Sequence, residues 1–272
     1  MKRILNYPLP APIRMLARRI FFMPIDTYEY ITGKRPQGVP PKGKTAISHE
    51  DYLKQGERFL AYFQELAGLK PEHSILEAGC GTGRIALTLT RYVNEKGSYN
   101  GFDSIKSRID WCNKNITAKY PNFRFQYIGY NTVSNKGDSG NFTFPYTEGK
   151  FDFVFVSLDF THMMPKETEH YIEEISRVMK RGAMCMMSFF IINCESEDMM
   201  IKRPTQMNFP YNKGLYRLHS LHGKNKYVAY DEEWLLEKLS TAGLKMEIIK
   251  YGEWVGRSVY YDYEDLLVCR KM

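Results

Sequence analysis

The segment EAGCGTG at residues 77–83 begins with an acid and contains three glycines at alternate positions. The apolar run that precedes it, from Ser74, predicts a buried strand, and Arg84 opens a run with helical spacing. A strand, a glycine-rich turn and the start of a helix let the backbone lie against a ligand, because glycine has no Cβ. The candidate ligand contacts in this segment are Glu77, Ala78, Gly79, Cys80, Gly81, Thr82 and Gly83.

A second acid, Asp103, stands at the end of the next predicted strand, within GSYNGFDS at residues 97–104. A carboxylate in this place suits a ribose, whose two vicinal hydroxyls donate hydrogen bonds to one acid. Alternate glycines alone are a weak indication, because several nucleotide-binding folds use them. A dinucleotide dehydrogenase, however, has two residues between its second and third glycines, whereas Gly81 and Gly83 are separated by one.

The segment 77–83 resembles the first motif of class I S-adenosylmethionine-dependent methyltransferases, acid-x-Gly-x-Gly-x-Gly. Two further stretches, YTEGKFDFVFVSLDFTHM at 146–163 and RVMKRGA at 177–183, look like the fourth strand and the following turn of these enzymes. That turn departs from the family at Arg181, where proline is usual, and at Ala183, where glycine is usual. The resemblance is to bacterial enzymes for small molecules or glycans. It implies S-adenosylmethionine as the cofactor and S-adenosylhomocysteine as the product.

The resemblance also implies a role for each matching position. Glu77 and the glycine loop would line the methionine and ribose of the cofactor. The other implied contacts are Asp103 at the ribose hydroxyls, Ser104 beside the adenine, Ser157 and Leu158 beneath the sulfonium, and Asn131 near the adenine amine.

Two residues after the fourth predicted strand are candidate catalytic groups, His162 and Asp159. A sulfonium methyl group is already activated, so the enzyme must chiefly align the nucleophile and exclude water. A hydroxyl acceptor also benefits from a base, for which His, Asp and Glu are suited. A structural role for His162, such as bonding to the backbone, is the alternative.

Aromatic residues are frequent near the end of the chain, at Trp254, Tyr260, Tyr261 and Tyr263, with Arg257 among them. Such a cluster could stack on a sugar or on a flat acceptor. Ordinary packing is the alternative.

The five cysteines are scattered and form no C-x-x-C pair. This spacing predicts neither a zinc site nor a disulfide framework, and we expect catalysis to need no metal. Reduced thiols in a core favour a cytoplasmic protein, and the longest apolar stretch, Ala183–Ile192, is too short to span a bilayer.

From Ser48 onward, predicted helices and strands alternate, which predicts an α/β fold with a doubly wound, mostly parallel sheet. The resemblance implies seven strands, as in the Rossmann-like methyltransferase fold. We therefore divide the chain into an N-terminal arm at 1–47 and a methyltransferase domain at 48–272. Within the domain, an irregular segment at about 193–228 is predicted to cover the substrate.

The arm at 1–47 is basic and rich in proline, and it holds the whole formal charge of +7, since the remaining chain is balanced. The prolines predict irregular structure, with one short helical piece at about 13–23. The arm would cover the core, contact an anionic lipid or acidic polymer as a peripheral membrane protein does, or bind nucleic acid.

The acceptor is the open part of this interpretation. We expect a hydroxyl of a small molecule or of a sugar or glycan to receive the methyl group. The alternative is a macromolecule, either RNA or protein, or a lipid, recruited by the basic arm. Nucleic acid is disfavoured, because the body has no D/N-P-P-Y/F motif and no recognisable RNA-binding module. The sequence leaves the oligomeric state open.

Overall fold

Helices and strands alternate through most of the chain in the computed structural model, which describes residues 11–45, 47–129, 142–157, 160–202, 207–221 and 227–272. The helices are α1 Ala11–Ile31, α2 Lys42–Thr45, α3 His49–Ala67, α4 Arg84–Leu89, α5 Lys106–Cys112, α6 Pro165–Val178, α7 Cys194–Lys202 and α8 Glu232–Thr241. The strands are β1 Ser74–Ala78, β2 Ser98–Asp103, β3 Phe123–Tyr127, β4 Phe151–Val156, β5 Met179–Phe189, β6 Ile191–Ile192, β7 Tyr211–Asn212, β8 Tyr216–Leu218, β9 Val228–Asp231, β10 Leu244–Lys250 and β11 Asp265–Lys271.

The main sheet has seven strands in the order β10-β11-β5-β4-β1-β2-β3. Strands β1 to β5 pair in parallel, and β10 and β11 complete the sheet as antiparallel strands. The predicted doubly wound, mostly parallel sheet is thereby confirmed. Because β11 runs opposite to β5, with Asp265 facing Phe189, its first residues lie at the edge where β1, β2 and β4 end.

Apolar side chains on both faces hold the central strands in the core. Phe153 and Phe155 of β4 are buried, and both rings contact Phe63 of α3, with centroids 4.9 and 4.5 Å away. Helix α3 begins where Ser48 accepts a hydrogen bond from the Asp51 amide at 3.0 Å. The ring contacts of Phe63 hold this helix, which directly precedes β1, against the sheet.

A second, smaller sheet has the order β6-β9-β8-β7. Its strands β7 and β8, together with α7, occupy the segment at about 193–228 that was predicted to be irregular, so that prediction of irregular structure was wrong. Strand β6 begins two residues after β5 ends, and pairs with β9. The small sheet therefore continues from the carboxyl edge of the main sheet.

The arm also differs from its prediction, because α1 is a helix of 21 residues that continues past Pro24. Contacts with α2 explain how the second half of this helix persists despite the proline. Asp26 accepts hydrogen bonds from the amides of Lys42 and Gly43 at 2.7 and 3.0 Å. Glu29 pairs with the Lys42 ammonium at 2.6 Å. These tertiary contacts outweigh the usual helix-breaking effect of proline.

Large apolar side chains lie exposed along α1. They are Ile13, Leu16, Ile20, Phe21, Met23, Ile25, Tyr28, Tyr30 and Ile31. Among the described residues, no helix combines the length and hydrophobicity that crossing a bilayer requires.

One fully buried carboxylate, Asp265 at the start of β11, joins several segments. It accepts hydrogen bonds from the Ile191 and Gly252 amides, each at 2.7 Å, and from the Trp254 indole at 2.8 Å. Arg257 lies 3.5 Å away, yet burial still raises the pKa of Asp265 to about 6. The carboxylate thus fixes the small sheet and the 252–257 turn onto the main sheet.

Replacing this carboxylate tests that conclusion. We expect Asp265→Ala to lower the free energy of unfolding by about 3–5 kcal/mol, since it leaves a buried guanidinium and several donors without their acceptor. Urea unfolding measures the difference. The control is Asp198→Ala, which breaks an exposed pair with Lys202 and should cost about 0–1 kcal/mol. Equal losses in the two variants would contradict the role of Asp265.

Candidate active site

A cavity of about 310 Å³ opens at the carboxyl edge of the main sheet. It lies where β1, β2 and β4 end, which is where open α/β sheets bind their ligands. The residues that line it are Lys44, Thr45, Ile47, Tyr52, Glu77, Gly79, Cys80, Gly81, Thr82, Arg84, Asp103, Arg108, Ser157 and His162.

The glycine loop is tied closely to the end of β2. The amides of Gly79 and Cys80 both donate to the Phe102 carbonyl, at 3.0 and 2.9 Å. Gly83 has a φ of 76°, and a Cβ there would lie 2.6 Å from Ile116. Only glycine meets both demands, so the loop can turn sharply and still let α4 start against the neighbouring helix.

Asp103 lies beside this loop and holds it in place. Its carboxylate accepts hydrogen bonds from the Gly81 amide at 3.0 Å, the Ile105 amide at 2.7 Å and Arg108 at 3.1 Å. A carboxylate has about four acceptor sites, so capacity for a ligand hydroxyl remains after these three bonds. The side chain thus positions the loop and also faces the cavity.

Glu77 reaches the cavity from the end of β1. The hydroxyl of the fully buried Tyr99 donates a hydrogen bond to its carboxylate. Burial raises the pKa of Tyr99 well above its usual value, so the phenol keeps its proton and remains a donor. Glu77 is only 3% exposed, and this hydrogen bond holds its carboxylate in a fixed orientation.

Arg84 is a cavity residue that the sequence analysis did not single out. Its guanidinium donates to Gln55, while its Nε is buried and has no hydrogen-bond partner among the residues described above. Burial is the main cause of its lowered pKa. Its position directly after Gly83, at the start of α4, is the signal that could have identified it.

Residues before β1 also reach the cavity, which the division into arm and domain did not anticipate. Lys44, Thr45 and Ile47 lie on its wall. Tyr52 of α3 donates its hydroxyl to the Thr82 carbonyl at 2.9 Å. The segment between α1 and α3 is thus part of the site.

The predicted catalytic residue His162 lies on a 3₁₀ turn, Phe160–His162, directly after the end of β4. Its side chain is exposed, contributes to the cavity wall with Ser157, and packs against Tyr227 with centroids 4.7 Å apart. The rival base Asp159 lies outside the described residues.

The remaining predicted contacts have different positions. Ala78, Gly83 and Ser104 are not among the residues that line the cavity, although each is next to one that does. Leu158 and Asn131 lie outside the described residues.

Among the aromatic residues near the C-terminal end, Tyr260 and Tyr263 are exposed. Trp254 packs in the core, since it is 1% exposed and contacts Phe190 and Phe209. Arg257 is also buried, bonded to Glu195 and to the Gly252 carbonyl at 3.0 Å each. Within the described part of the chain, no group of His, Cys and acidic side chains could hold a metal ion.

Known proteins resemble this chain in sequence and in fold. Residues 75–182 match the model of a methyltransferase domain family. This part of the chain is a methyltransferase domain. A 2-phytyl-1,4-naphtoquinone methyltransferase of Trichormus variabilis is 23% identical over 137 residues, or 49% of this chain and 54% of that protein. The chain therefore matches about half the length of this curated relative.

Solved structures of other proteins share the fold of this chain. A methyltransferase of Methanosarcina mazei aligns with a TM-score of 0.51 at 20% identity, over 75% of this chain and 94% of that one. The 1,6-didemethyltoxoflavin-N1-methyltransferase of Burkholderia thailandensis, solved with S-adenosylhomocysteine, aligns with a TM-score of 0.51 at 16% identity, over 98% and 93% of the two chains.

The residues that line the cavity at the carboxyl edge fit S-adenosylmethionine, which would supply an activated methyl group there. Asp103 and Glu77 offer carboxylate acceptors suited to the ribose hydroxyls and the methionine ammonium. The buried Nε of Arg84, which has no partner among the described residues, suits the methionine carboxylate. Hydrogen-bond donors and hydrogen-bond acceptors therefore both line this cavity.

Changing Asp103 tests this assignment. We expect Asp103→Ala to weaken S-adenosylhomocysteine binding roughly ten- to a hundredfold, about 1–3 kcal/mol, because ligand hydroxyls lose an acceptor and the loop loses its anchor. Calorimetric titration should show one site per chain. The control is Asp110→Ala, an exposed acid on α5 that pairs with Lys106, and it should leave affinity unchanged. Unchanged affinity in the Asp103 variant, or equal affinity for NAD, would refute the assignment.

Proposed function

We propose that the protein is a methyltransferase that moves a methyl group to a hydroxyl of a small molecule or of a sugar or glycan. The position of His162 carries this proposal. His162 lines the cofactor cavity together with Ser157 and Glu77. Histidine is the residue that most often takes a proton in general base catalysis. A hydroxyl acceptor aligned beside it would lose its proton as the new bond forms.

The relatives support a small acceptor. One is named for a naphtoquinone that carries a phytyl chain and another for nitrogen N1 of 1,6-didemethyltoxoflavin, and both names denote small molecules rather than macromolecules. The two names do not give a common acceptor atom. The proposal of a hydroxyl acceptor therefore depends on the chemistry of His162 and not on similarity.

Substitution of His162 tests the proposed chemistry. We expect purified protein to convert S-adenosylmethionine to S-adenosylhomocysteine with a hydroxyl acceptor from a panel of catechol, 1,4-naphthoquinol and methyl pyranosides. His162→Ala should lower kcat by roughly 10²–10⁴, as expected for loss of a general base. His73→Ala is the control, since His73 lies just before β1 at the opposite edge of the sheet. Methylation of amine acceptors alone, or full turnover in the His162 variant, would contradict a base-assisted hydroxyl transfer.

A second candidate function is supported by α1. Its exposed apolar side chains, together with the excess of basic residues in the arm, suit contact with an anionic lipid surface. The acceptor would then be a lipid, or a molecule held at a lipid surface.

Two exposed positions on α1 test this second candidate. We expect the intact protein to sediment with vesicles that contain phosphatidylglycerol, and the double variant Leu16→Ser, Ile20→Ser to lose most of that binding. Affinity for S-adenosylhomocysteine should stay within about threefold, less than 0.7 kcal/mol. Ile201→Ser with Leu215→Ser, two exposed apolar residues elsewhere, is the control. Equal vesicle binding by all three proteins would remove the candidate.

A further inference from the structure

A second cavity, of about 140 Å³, adjoins the cofactor cavity. Arg84 and Ser157 belong to the walls of both, so the two spaces share a boundary at the end of β4. Since one water occupies about 30 Å³, the second cavity has room for about five non-hydrogen atoms. It can therefore receive a fragment of an acceptor, for example a ring edge with two substituents.

The wall of this second cavity combines apolar surface with charged side chains of both signs. Glu264 and Asp262 come from the segment before β11, and Arg58 comes from α3. Arg58 lies 3.3 Å from the Asp262 carboxylate. Phe59 and Leu266 supply apolar surface. A wall of this kind suits a ring whose carbon frame carries hydroxyl groups, which both donate and accept hydrogen bonds.

The fold holds Glu264 at this wall with little freedom. The residue is only 9% exposed, and it precedes the point where Leu266 of β11 pairs with Ser188 of β5. A Cβ on Gly252 would lie 2.6 Å from the Glu264 carbonyl oxygen, so the two backbones are in close contact. Ser188 also hydrogen-bonds to the Glu264 side chain. The main chain of Glu264 is thus held against Gly252, and its carboxyl group is held by Ser188.

Burial raises the pKa of Glu264 to about 7. The nearby Asp262 and Asp265 also raise this pKa, whereas the hydrogen bond with Ser188 lowers it. The other ionisable groups that face Glu264 are Arg58, Arg84 and Tyr263. The arginines stay charged at all relevant pH values, and burial raises the pKa of Tyr263 and keeps it neutral. A buried carboxyl group that receives few hydrogen bonds from the protein can accept hydrogen bonds from a ligand.

We propose that this second cavity is an acceptor subsite that receives one edge of a polyhydroxylated ring of the sugar type, and that Glu264 accepts hydrogen bonds from two hydroxyls on that edge. The inference rests on the proposed function, and it selects the carbohydrate class among small hydroxyl acceptors. Glu264 determines specificity, while His162 remains the group beside the reacting hydroxyl.

Binding of methyl pyranosides to protein saturated with S-adenosylhomocysteine tests the subsite. The probes are the methyl α-glycosides of glucose, mannose and galactose, observed by saturation-transfer NMR. We expect at least one to bind, its affinity to rise from pH 6 to pH 8 as Glu264 ionises, and Glu264→Gln to weaken it at least fivefold and remove the pH dependence. Glu253→Gln, an exposed acid nearby, is the control. No binding by any of the three, or equal binding by Glu264→Gln, overturns the proposal.

A stability measurement shows independently that the isosteric variant folds and that Glu264 is buried as described. A carboxyl group whose folded-state pKa is raised contributes stability below its unfolded pKa and loses it as pH rises through the folded value. The melting temperature of Glu264→Gln should therefore rise relative to that of the wild type between pH 5 and pH 8. A constant difference contradicts the environment described for Glu264.

The two proposals fail in different ways. If catechol is methylated at equal rates by the wild type and Glu264→Gln while no pyranoside binds, the subsite is wrong and the hydroxyl transfer stands. If pyranosides bind in the Glu264-dependent manner but no hydroxyl is methylated, the proposed function is wrong and the subsite stands.

Discussion

The hydrogen bonds that converge on Asp103 are the constraint on which the ligand-binding edge depends. Strands β1 and β2 end side by side, but the loop after β1 consists largely of glycine and has little side-chain packing of its own. Asp103 supplies what the loop lacks, since it accepts from Gly81 in the loop and from Ile105 at the start of α5. One carboxylate therefore sets the distance between two successive strand–helix turns, and the cavity exists because that distance is fixed.

Asp265 plays a similar joining role with a different energetic balance. Asp103 lies at the rim of a cavity, whereas Asp265 is enclosed, and its raised pKa records the cost of keeping a charge there. Arg257 and three donors offset that cost. The result is a rigid attachment of the 252–257 turn, against which the neighbouring Glu264 is held. Polar residues, not only the apolar core, thus determine the geometry around the cofactor cavity and around the 252–257 turn.

The alternation of elements and the cofactor half of the site could be predicted because their signals are local. The run 151–156 is apolar enough to indicate a central strand, and the segment 77–83 combines spacing with residue type. The length of α1 could not be predicted, since its continuation past Pro24 depends on Asp26 bonding to a segment that lies later in the chain. Glu264 was missed for a similar reason. A single acid in an aperiodic stretch gives no signal until β11 pairs with β5.

The antiparallel course of β11 has a consequence for how such a protein diverges. It brings residues 262–265, from the last part of the chain, to the edge where the methyltransferase match at 75–182 supplies the glycine loop. These two stretches lie far apart in the gene although they meet at one edge of the sheet. A substitution at 262–265 can therefore alter the second cavity without altering the glycine loop. Because the family match ends before this segment, it carries no information about that wall of the second cavity.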